Sequence, residues 1–311
     1  MSSSTPGTAA GSIRTHPLPP DGFNPRAASP LELRRYGLPQ RPDPAIRPQL
    51  ASRWDEIFSR KLTYITPTFR PMQELLAGIE RRRRPRQDLV TVTHPTWSGA
   101  VVHATAGETF TWVLGQWNVP DVAPAANGQG SWYASAWIGI DGNSDVTQIG
   151  TMQSVSADAN GNLSKDCYAW YEWWVMGQTT PWHAITNFPV SFGDTMVGLI
   201  CMDSPSEAHF NLLNVTSGIL AAWRPIVPPA GTTSLENQAE WIVERPEIKG
   251  VNPPLPNFGE VYFDSAMGGQ SLDFLADGGT DTAINMVVNG TTVATTTVET
   301  PTLIKIAYTG S

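Results

Sequence analysis

The 311-residue sequence is poor in charges, histidines and cysteines. Charged residues make up 15% of the chain, which has five histidines and two cysteines. With 27 glycines and 27 prolines, this composition argues against a coiled coil or a helix bundle. Apolar runs such as residues 196–202 are strand-sized and fall well short of the roughly 20 residues of a spanning helix. We therefore do not expect an integral membrane protein.

Motifs of several common enzyme classes are also missing. The sequence has no Gly-x-Ser-x-Gly elbow, no His-Glu-x-x-His, no cysteine pair at metal-ligand spacing and no phosphate loop. Only three histidines lie beyond residue 94, so a histidine-dependent triad or a zinc site has few candidates. We predict no metal and no cofactor. The remaining groups that can carry chemistry are carboxylates, amides and tryptophans.

The net charge of -8 divides unevenly along the chain. Residues 1–94 hold 15 of the 20 Lys and Arg and 8 of the 28 Asp and Glu, which leaves +7 for this part and -15 for residues 95–311. The first 50 residues are rich in Pro, Ser, Gly and Arg and bury too little apolar surface to fold alone. We predict a basic Pro/Arg-rich N-terminal extension over 1–94, free or draped on a partner surface, and an acidic domain over 95–311.

Two short helices are predicted within the extension. Residues 29–36 have a capping serine, a proline suited to the first turn and Gly37 to end the helix. Residues 71–84 place Leu75, Leu76 and Ile79 on one side and end in the basic run Arg81–Arg84. A basic run can bind nucleic acid, but interleaved aromatic residues are missing and the rest of the chain is acidic. Nucleic acid is therefore not expected as a partner.

From Trp97 onward, short β-branched or alternating runs are separated by Gly, Asn, Asp and Pro. The predicted strands are 109–117, 134–140, 168–174, 195–201, 239–244, 283–288 and 291–298. This pattern predicts an all-β, mainly antiparallel double-sheet β-sandwich of the concanavalin or lectin-like jelly-roll type. Cys167 and Cys201 lie in predicted strands, where they form a disulfide if those strands are neighbours and are otherwise buried free thiols.

Three of the segments place polar groups on apolar strands, where an unpaired carboxylate costs several kcal/mol. Strand alternation puts the following residues on shared faces: Trp137, Gly139 and Asp141; Tyr168, Trp170, Glu172 and Trp174; Glu240 and Glu244. A functional role would explain that cost.

The order of motifs resembles the glutamic peptidases, or eqolisins. Trp-x-Gly-x-Asp-Gly begins at Trp137, and Gln-x-Gly, Ala-Trp-Tyr-Glu-Trp and Ala-Glu-Trp-Ile-Val-Glu follow in turn. The resemblance extends from about residue 96 to the C-terminus, and four ordered blocks are far more specific than one. It implies an acid-acting endopeptidase with a double-sheet β-sandwich fold and polypeptide substrates.

The resemblance also implies a catalytic dyad of Gln148 and Glu240. A carboxylate with an ordinary pKa of about 4.3 can take a proton from water in mild acid and return it to the leaving amine. An amide can donate to the oxyanion and orient the water without titrating. Trp137 and Asp141 are expected to position Gln148 and the cleft wall.

The same resemblance places Trp170 and Glu172 near the dyad on the cleft face. Two departures from the family pattern, Tyr168 and the stretch 151–153, bear on substrate preference and pH optimum. We expect a monomer in a secreted, acidic setting, although residues 1–12 lack the apolar core of a signal peptide.

The extension resembles the pro-segments of some family members in Pro-Pro-Asp-Gly-Phe and Leu-Arg-Arg-Tyr-Gly-Leu-Pro. We predict that it inhibits a zymogen through its opposite charge, an attraction that weakens as carboxylates protonate. The cut is expected after Arg84 or Arg86.

Three other readings stay open at this stage. A carbohydrate-binding sandwich could use exposed tryptophans, and a glycoside hydrolase could use Glu172 and Glu240 as its carboxylate pair. A catalytically inactive family member that only binds is the third reading.

Overall fold

The computed structural model describes residues 13–72, 75–76, 90–104, 107–126, 129–141, 144–178, 180, 182–226, 232–269 and 282–310. The helices in these ranges are a 3-10 turn at Pro25–Ala27, α1 at Pro30–Arg35 and α2 at Pro48–Phe58. The strands are β1 (Arg14–Thr15), β2 (Thr63–Ile65), β3 (Phe69–Met72), β4 (Leu75–Leu76), β5 (Val90–His94), β6 (Trp97–His103), β7 (Trp112–Asn118), β8 (Gly130–Ile140), β9 (Asp145–Ala157), β10 (Leu163–Val175), β11 (Trp182–Ile185), β12 (Thr195–Ser204), β13 (Glu207–Asn214), β14 (Ile219–Ile226), β15 (Gln238–Glu244), β16 (Glu247–Ile248), β17 (Glu260–Gly269), β18 (Thr282–Val288), β19 (Thr291–Thr300) and β20 (Leu303–Tyr308).

Two antiparallel layers form the domain. Sheet A has the order β14, β13, β12, β7, β17, β20, β19. Sheet B has the order β11, β10, β9, β8, β15, β6, β18. The hairpin from β18 to β19, which turns at Asn289-Gly290 with both residues at positive φ, joins the layers at one edge. The predicted all-β double-sheet sandwich is confirmed.

The core lies between the layers because alternate residues of each strand point inward. On β10, Ala169, Tyr171 and Trp173 join the buried inter-sheet core. Trp170 and Trp174 belong to a separate apolar cluster, on the outer face of sheet B. The layers are also joined by hydrogen bonds, such as the 3.0 Å contact between Trp117 Nε1 of sheet A and Thr151 Oγ1 of sheet B.

The N-terminal extension supplies additional edge strands to both layers. Strands β1 and β2 pair with β14 of sheet A. Strand β3 pairs with β11 and β5 pairs with β18, at opposite edges of sheet B. Strand β4 pairs with β16. The surface on which this extension lies is therefore its own β domain.

Helix α1 confirms the prediction for residues 29–36. Ser29 Oγ accepts from the Glu32 backbone N–H at 3.3 Å, and the Ser29 N–H donates to Glu32 Oε2 at 2.8 Å, which completes a capping box. Helix α2 was not predicted, although Leu50, Trp54 and Phe58 recur every four residues and Pro48 suits its first turn.

The helix predicted over 71–84 is wrong where the structure describes it. Residues 71–72 belong to β3 and residues 75–76 form β4, while 73–74 and 77–84 lie outside the described residues, as does the predicted cut after Arg84 or Arg86. Pairing with β11 and β16 overrides the local helical pattern in these four residues.

The two cysteines do not meet. Cys167 lies on β10 of sheet B and Cys201 on β12 of sheet A, and both are free thiols. Across the described ranges, no helix has the length and apolar character required to cross a bilayer.

Candidate active site

Polar residues align across the outer face of sheet B. Gln148 on β9 pairs with Glu172 on β10 at one side and with Gly139 on β8 at the other. Gly139 pairs in turn with Glu240 on β15. Directly paired residues on antiparallel strands project to the same face. Glu172, Gln148 and Glu240 therefore form one row, and all three are at most 1% exposed.

The row has no side chain at Gly139, between Gln148 and Glu240. Two strand spacings, about 10 Å, separate the backbones of these two residues. A Cβ at Gly139 would lie 2.9 Å from the Trp137 ring and 2.9 Å from a Val146 methyl group. Only glycine therefore fits at position 139, against Trp137 and Val146. Gln148 and Glu240 lie on either side of it.

Glu172 holds the amide of Gln148. Gln148 Nε2 donates to Glu172 Oε2 at 3.0 Å, and Thr180 Oγ1 donates to Glu172 Oε1 at 3.1 Å. Burial raises the pKa of Glu172 well above its usual range, against the opposing effect of the Thr180 and Gln148 hydrogen bonds. Gln148 Oε1 has no hydrogen-bond partner among the described residues. The nitrogen end of the amide is therefore oriented by Glu172, and no described residue binds its oxygen.

Glu240 is a buried carboxyl group without a hydrogen-bond partner. Neither of its oxygens has one within the described part of the chain. Burial raises the pKa of Glu240 well above its usual range, and the charges of Asp141 and Glu244 raise it further. Buried polar groups of this kind are rare and concentrate at functional sites.

Two tryptophans support this face without contacting the glutamine by hydrogen bonds. Trp137 Nε1 donates to Glu244 Oε2 at 2.9 Å. Trp170 Nε1 donates to Ser135 Oγ at 3.0 Å, and its ring stacks on Trp182 with centroids 3.9 Å apart. Trp137 was expected to position Gln148 and the cleft wall; its indole N–H binds Glu244, and its ring lies beside Gly139 in the row.

Asp141 acts on the strand of Glu240 rather than on Gln148, the residue it was expected to position. It adopts φ +70°, a left-handed conformation that Asp tolerates better than most residues. Its Oδ2 accepts from Ser234 Oγ at 2.9 Å and from the Glu236 N–H at 3.1 Å. These bonds fix the segment that leads into β15 and thus place Glu240.

Sequence reasoning missed Thr180, which contacts the row, and Asp145, which lies on the opposite, inner face of sheet B. Asp145 is buried, and Trp173 Nε1 donates to its Oδ2 at 2.8 Å. Burial, followed by the charge of Asp141, raises the pKa of Asp145 to about 7. Asp145 begins a strand without a motif, and Thr180 reaches Glu172 from beyond the end of β10, so neither has a local signature.

Tryptophans and aliphatic residues surround the row. The cluster contains Trp97, Trp137, Trp170, Trp174, Trp182, Val101, Val146, Met152, Ile242 and Ile284. Met72 of β3 and Val92 of β5, both from the extension, pack against it. In the described ranges, no group of three or more His, Cys, Asp or Glu is arranged to hold a metal ion.

Comparison with known proteins places the chain in a family. The model of the Peptidase A4 family matches residues 95–308. Aspergillopepsin-2 of Aspergillus niger is 29% identical over 188 residues, which cover 55% of this chain and 62% of that protein's length.

Solved structures agree on the fold. Scytalido-glutamic peptidase with a transition state analog inhibitor superposes with a TM-score of 0.52 at 20% identity, over 70% of this chain and all of that chain. A second structure of that peptidase, with a peptide-based transition state analog, gives a TM-score of 0.50 at 20% identity and the same coverage. The family match spans nearly the whole sandwich, and the chain therefore belongs to the Peptidase A4 family, the glutamic peptidases.

Proposed function

We propose that the chain is an acid endopeptidase that hydrolyses peptide bonds with Gln148 and Glu240. One observation carries the proposal: both residues stand in one buried row, on either side of a glycine, with the carboxyl group of Glu240 unpartnered within the described residues. Family membership supports the reaction class.

In this mechanism, Glu240 is the general base and then the general acid. Its carboxylate takes a proton from a water molecule, whose oxygen attacks the carbonyl carbon of the peptide bond. The carbonyl oxygen becomes an oxyanion, which accepts a hydrogen bond from the free N–H of Gln148 Nε2. Glu240 then gives its proton to the amide nitrogen as the C–N bond breaks, which releases an amine and a carboxylic acid.

Glu172 is the positioning residue for this step. An amide nitrogen has two N–H groups, and Glu172 accepts from one of them at 3.0 Å. The second N–H is then directed at the oxyanion, while Gln148 Oε1 accepts from the attacking water. Trp137 and Trp170 shape the wall beside the row, and Asp141 holds the strand that carries Glu240.

We propose further that the extension keeps the enzyme latent. A buried Glu240 with a raised pKa is protonated in acid and cannot act as a base. Met72 and Val92 of the extension pack on the face that carries the row. A cut after Arg84 or Arg86 separates β3 from the β domain but leaves β5 joined to it. Displacement of β3, with Met72, would admit water, lower the pKa of Glu240 and generate the carboxylate at mildly acidic pH.

The spacing of the row does not favour a glycoside hydrolase. The backbones of Glu172 and Glu240 are three strand spacings apart, about 14 Å. In glycoside hydrolases, the two catalytic carboxyl groups are only about 5 to 10 Å apart. Both oxygens of Glu172 are also engaged, by Gln148 and Thr180.

Digestion of denatured casein between pH 3 and 5 tests the peptidase. Each variant carries a specific protease site in place of residues 81–86 and is cut there first, so that an inactive variant is processed like the parent. We expect Glu240→Gln and Gln148→Ala to lose about 10²- to 10⁴-fold in rate. Glu260→Gln, an exposed substitution in sheet A, is the matched control and keeps full activity.

Glu172→Gln separates the two enzyme classes. The peptidase loses less with this variant than with Glu240→Gln, because a glutamine oxygen still accepts from Gln148 Nε2. A loss as severe as that of Glu240→Gln would favour a carboxylate pair. If the cut parent digests no protein at any pH, the chain is an inactive member of its family.

A further inference from the structure

The N-terminal extension touches the two sheets in two separate parts. Residues 13–65, here called the clasp, contain β1, α1, α2 and β2 and lie on sheet A. The following strands β3 and β5 pair with sheet B, whose outer face carries the row of Glu172, Gln148 and Glu240. The extension therefore divides between residues 65 and 69.

The clasp covers an apolar surface of the β domain whose exposure to water would be unfavourable. Six side chains on the outer face of sheet A are each at most 6% exposed: Trp112, Leu114, Val197, Leu213, Leu220 and Met267. They form one cluster with Leu50, Trp54 and Phe58 of α2 and with Leu33 and Leu38. Without the clasp, they would form a contiguous apolar patch of the kind that soluble proteins avoid.

Backbone pairing adds to this contact. Strand β1 pairs with Trp223 and Arg224, and β2 pairs with residues 219–221, so the clasp occupies the free edge of β14. The Thr63 N–H also donates to the Gly218 carbonyl at 2.8 Å. An uncovered strand edge is prone to pair with other chains.

The contacts between clasp and sandwich depend little on pH. Three ion pairs of clasp arginines lie within the clasp: Arg41 with Asp55, and Arg53 and Arg60 with Glu56. Arg53 also donates to Gln116, which has Asp264 as its neighbour in register. Apolar burial and backbone hydrogen bonds, which do not titrate, therefore provide most of the attachment.

One corner of the clasp does titrate. His16 lies 6.4 Å from His209, which has Asp203 within 3.5 Å, and Arg224 pairs with Asp203 at 3.2 Å. Burial and the charge of Arg224 lower the pKa of His16. We therefore expect protonation of His16 in acid to weaken the contact next to β1, whereas the apolar contacts of α2 do not titrate.

We propose that the clasp is a permanent subunit of the mature enzyme: when the chain is cut between β4 and β5, residues 13–65 stay bound to sheet A as a separate chain. After the cut, β3 and β4 belong to the same fragment as the clasp and pair with the β domain only through β11 and β16. These two strands are the part that can leave the β domain while the clasp stays on sheet A. This inference rests on the proposed function for the meaning of the cut, and it is an alternative to the prediction that residues 1–94 are one removable pro-segment.

The experiment uses the full chain in the Glu240→Gln background, which prevents self-digestion. A specific protease site replaces residues 81–86, and the cut protein is run on a sizing column at pH 7 and pH 4. We expect both fragments to elute together, at the volume of the uncut chain, at both pH values. Elution of the two fragments as separate peaks in native buffer would overturn the proposal.

A denaturant titration of the cut protein gives a second readout that needs no core variant. We expect release of the small fragment and unfolding of the sandwich to share one midpoint. If the small fragment is released at a lower denaturant concentration, while the sandwich stays folded and binds no hydrophobic dye, the proposal that the clasp is a permanent subunit is wrong.

Paired variants identify the contact. Trp54→Ala with Phe58→Ala should release the small fragment from the cut protein, whereas Leu31→Ala, at a position 70% exposed on α1, should not. Because an added protease makes the cut and elution is the readout, the result does not depend on peptidase activity. A chain that never digests protein can still pass this test.

Discussion

The two sheets of the sandwich present outer faces of opposite kind. On sheet A, alternate residues of β7 and β12 are apolar, and helix α2 covers them. On sheet B, the outer face of β9, β10 and β15 carries Gln148, Glu172 and Glu240 among apolar residues. Both faces are buried, but only the face of sheet B buries carboxyl groups.

The comparison separates stability from function. Burial of the face of sheet A stabilises the fold, at roughly 1.5 to 3 kcal/mol for each large apolar side chain. Burial of Glu240 without a hydrogen-bond partner within the described residues is destabilising, and the proposed catalytic role would explain it. The extension covers both faces, and the clasp stabilises the face that has no chemistry.

The largest effect is expected on sheet A. Trp54→Ala removes a side chain that is 6% exposed between α2 and the sheet. We expect it to lower the free energy of unfolding by about 3 to 5 kcal/mol, measured by denaturant titration, while the folded enzyme digests casein at an unchanged rate at low temperature. The exposed Leu31→Ala is the control. A loss of activity without a loss of stability would break the proposed division between the faces.

Much of the fold was predictable because it depends on local patterns. Alternation in residues 168–174 placed Tyr168, Trp170 and Trp174 on one face, and the structure finds them in one apolar cluster. The strands predicted at 283–288 and 291–298 are β18 and β19. The strands at 71–72 and 75–76 were missed because they depend on partners about 110 and 170 residues away. The helix at α2 had a readable apolar repeat, but the sheet face that it covers did not follow from the repeat.

The site was predictable from the sequence only in part. Alternation places Gln148 and Glu240 on faces of their own strands, and the family resemblance names them as a pair. Their common row depends on the register of β9, β8 and β15, which is a non-local property. Thr180 is brought to Glu172 by the return of the chain after β10 and has no sequence signature.

An intermediate effect is expected from pH on the side of sheet B. Asp145 has a pKa of about 7 in the fold, and burial also raises the pKa of Asp141, Glu172 and Glu240. The folded protein thus binds protons that the unfolded chain releases above pH 4. Their contribution to stability is complete in acid and is lost as the pH rises to about 7. Thermal melting should therefore show a lower Tm at pH 7.5 than at pH 4.

Asp145→Asn sharpens this prediction. Asparagine mimics the protonated acid and can still accept from Trp173 Nε1. We expect Asp145→Asn to raise the free energy of unfolding by roughly 2 kcal/mol at pH 7.5, which corresponds to about 5 °C in Tm, with little change at pH 4. Asp166→Asn, exposed on the same sheet, should leave both values unchanged. A gain of equal size at both pH values would show that titration of Asp145 is not the cause.

The smallest effect concerns a polar exception on the face of sheet A. Asn211 is 5% exposed, and both polar atoms of its side chain lack hydrogen-bond partners among the described residues. Together with Leu213 and Trp54, it lines a cavity of about 70 Å³ beneath α2. If this face serves only stability, an apolar residue should be better there. We expect Asn211→Leu to raise the free energy of unfolding by about 1 kcal/mol, as measured by denaturant titration. Asn211→Ala, which removes the amide without filling the cavity, should gain less. If Asn211→Leu is destabilising, the amide has a role and the face is not purely structural.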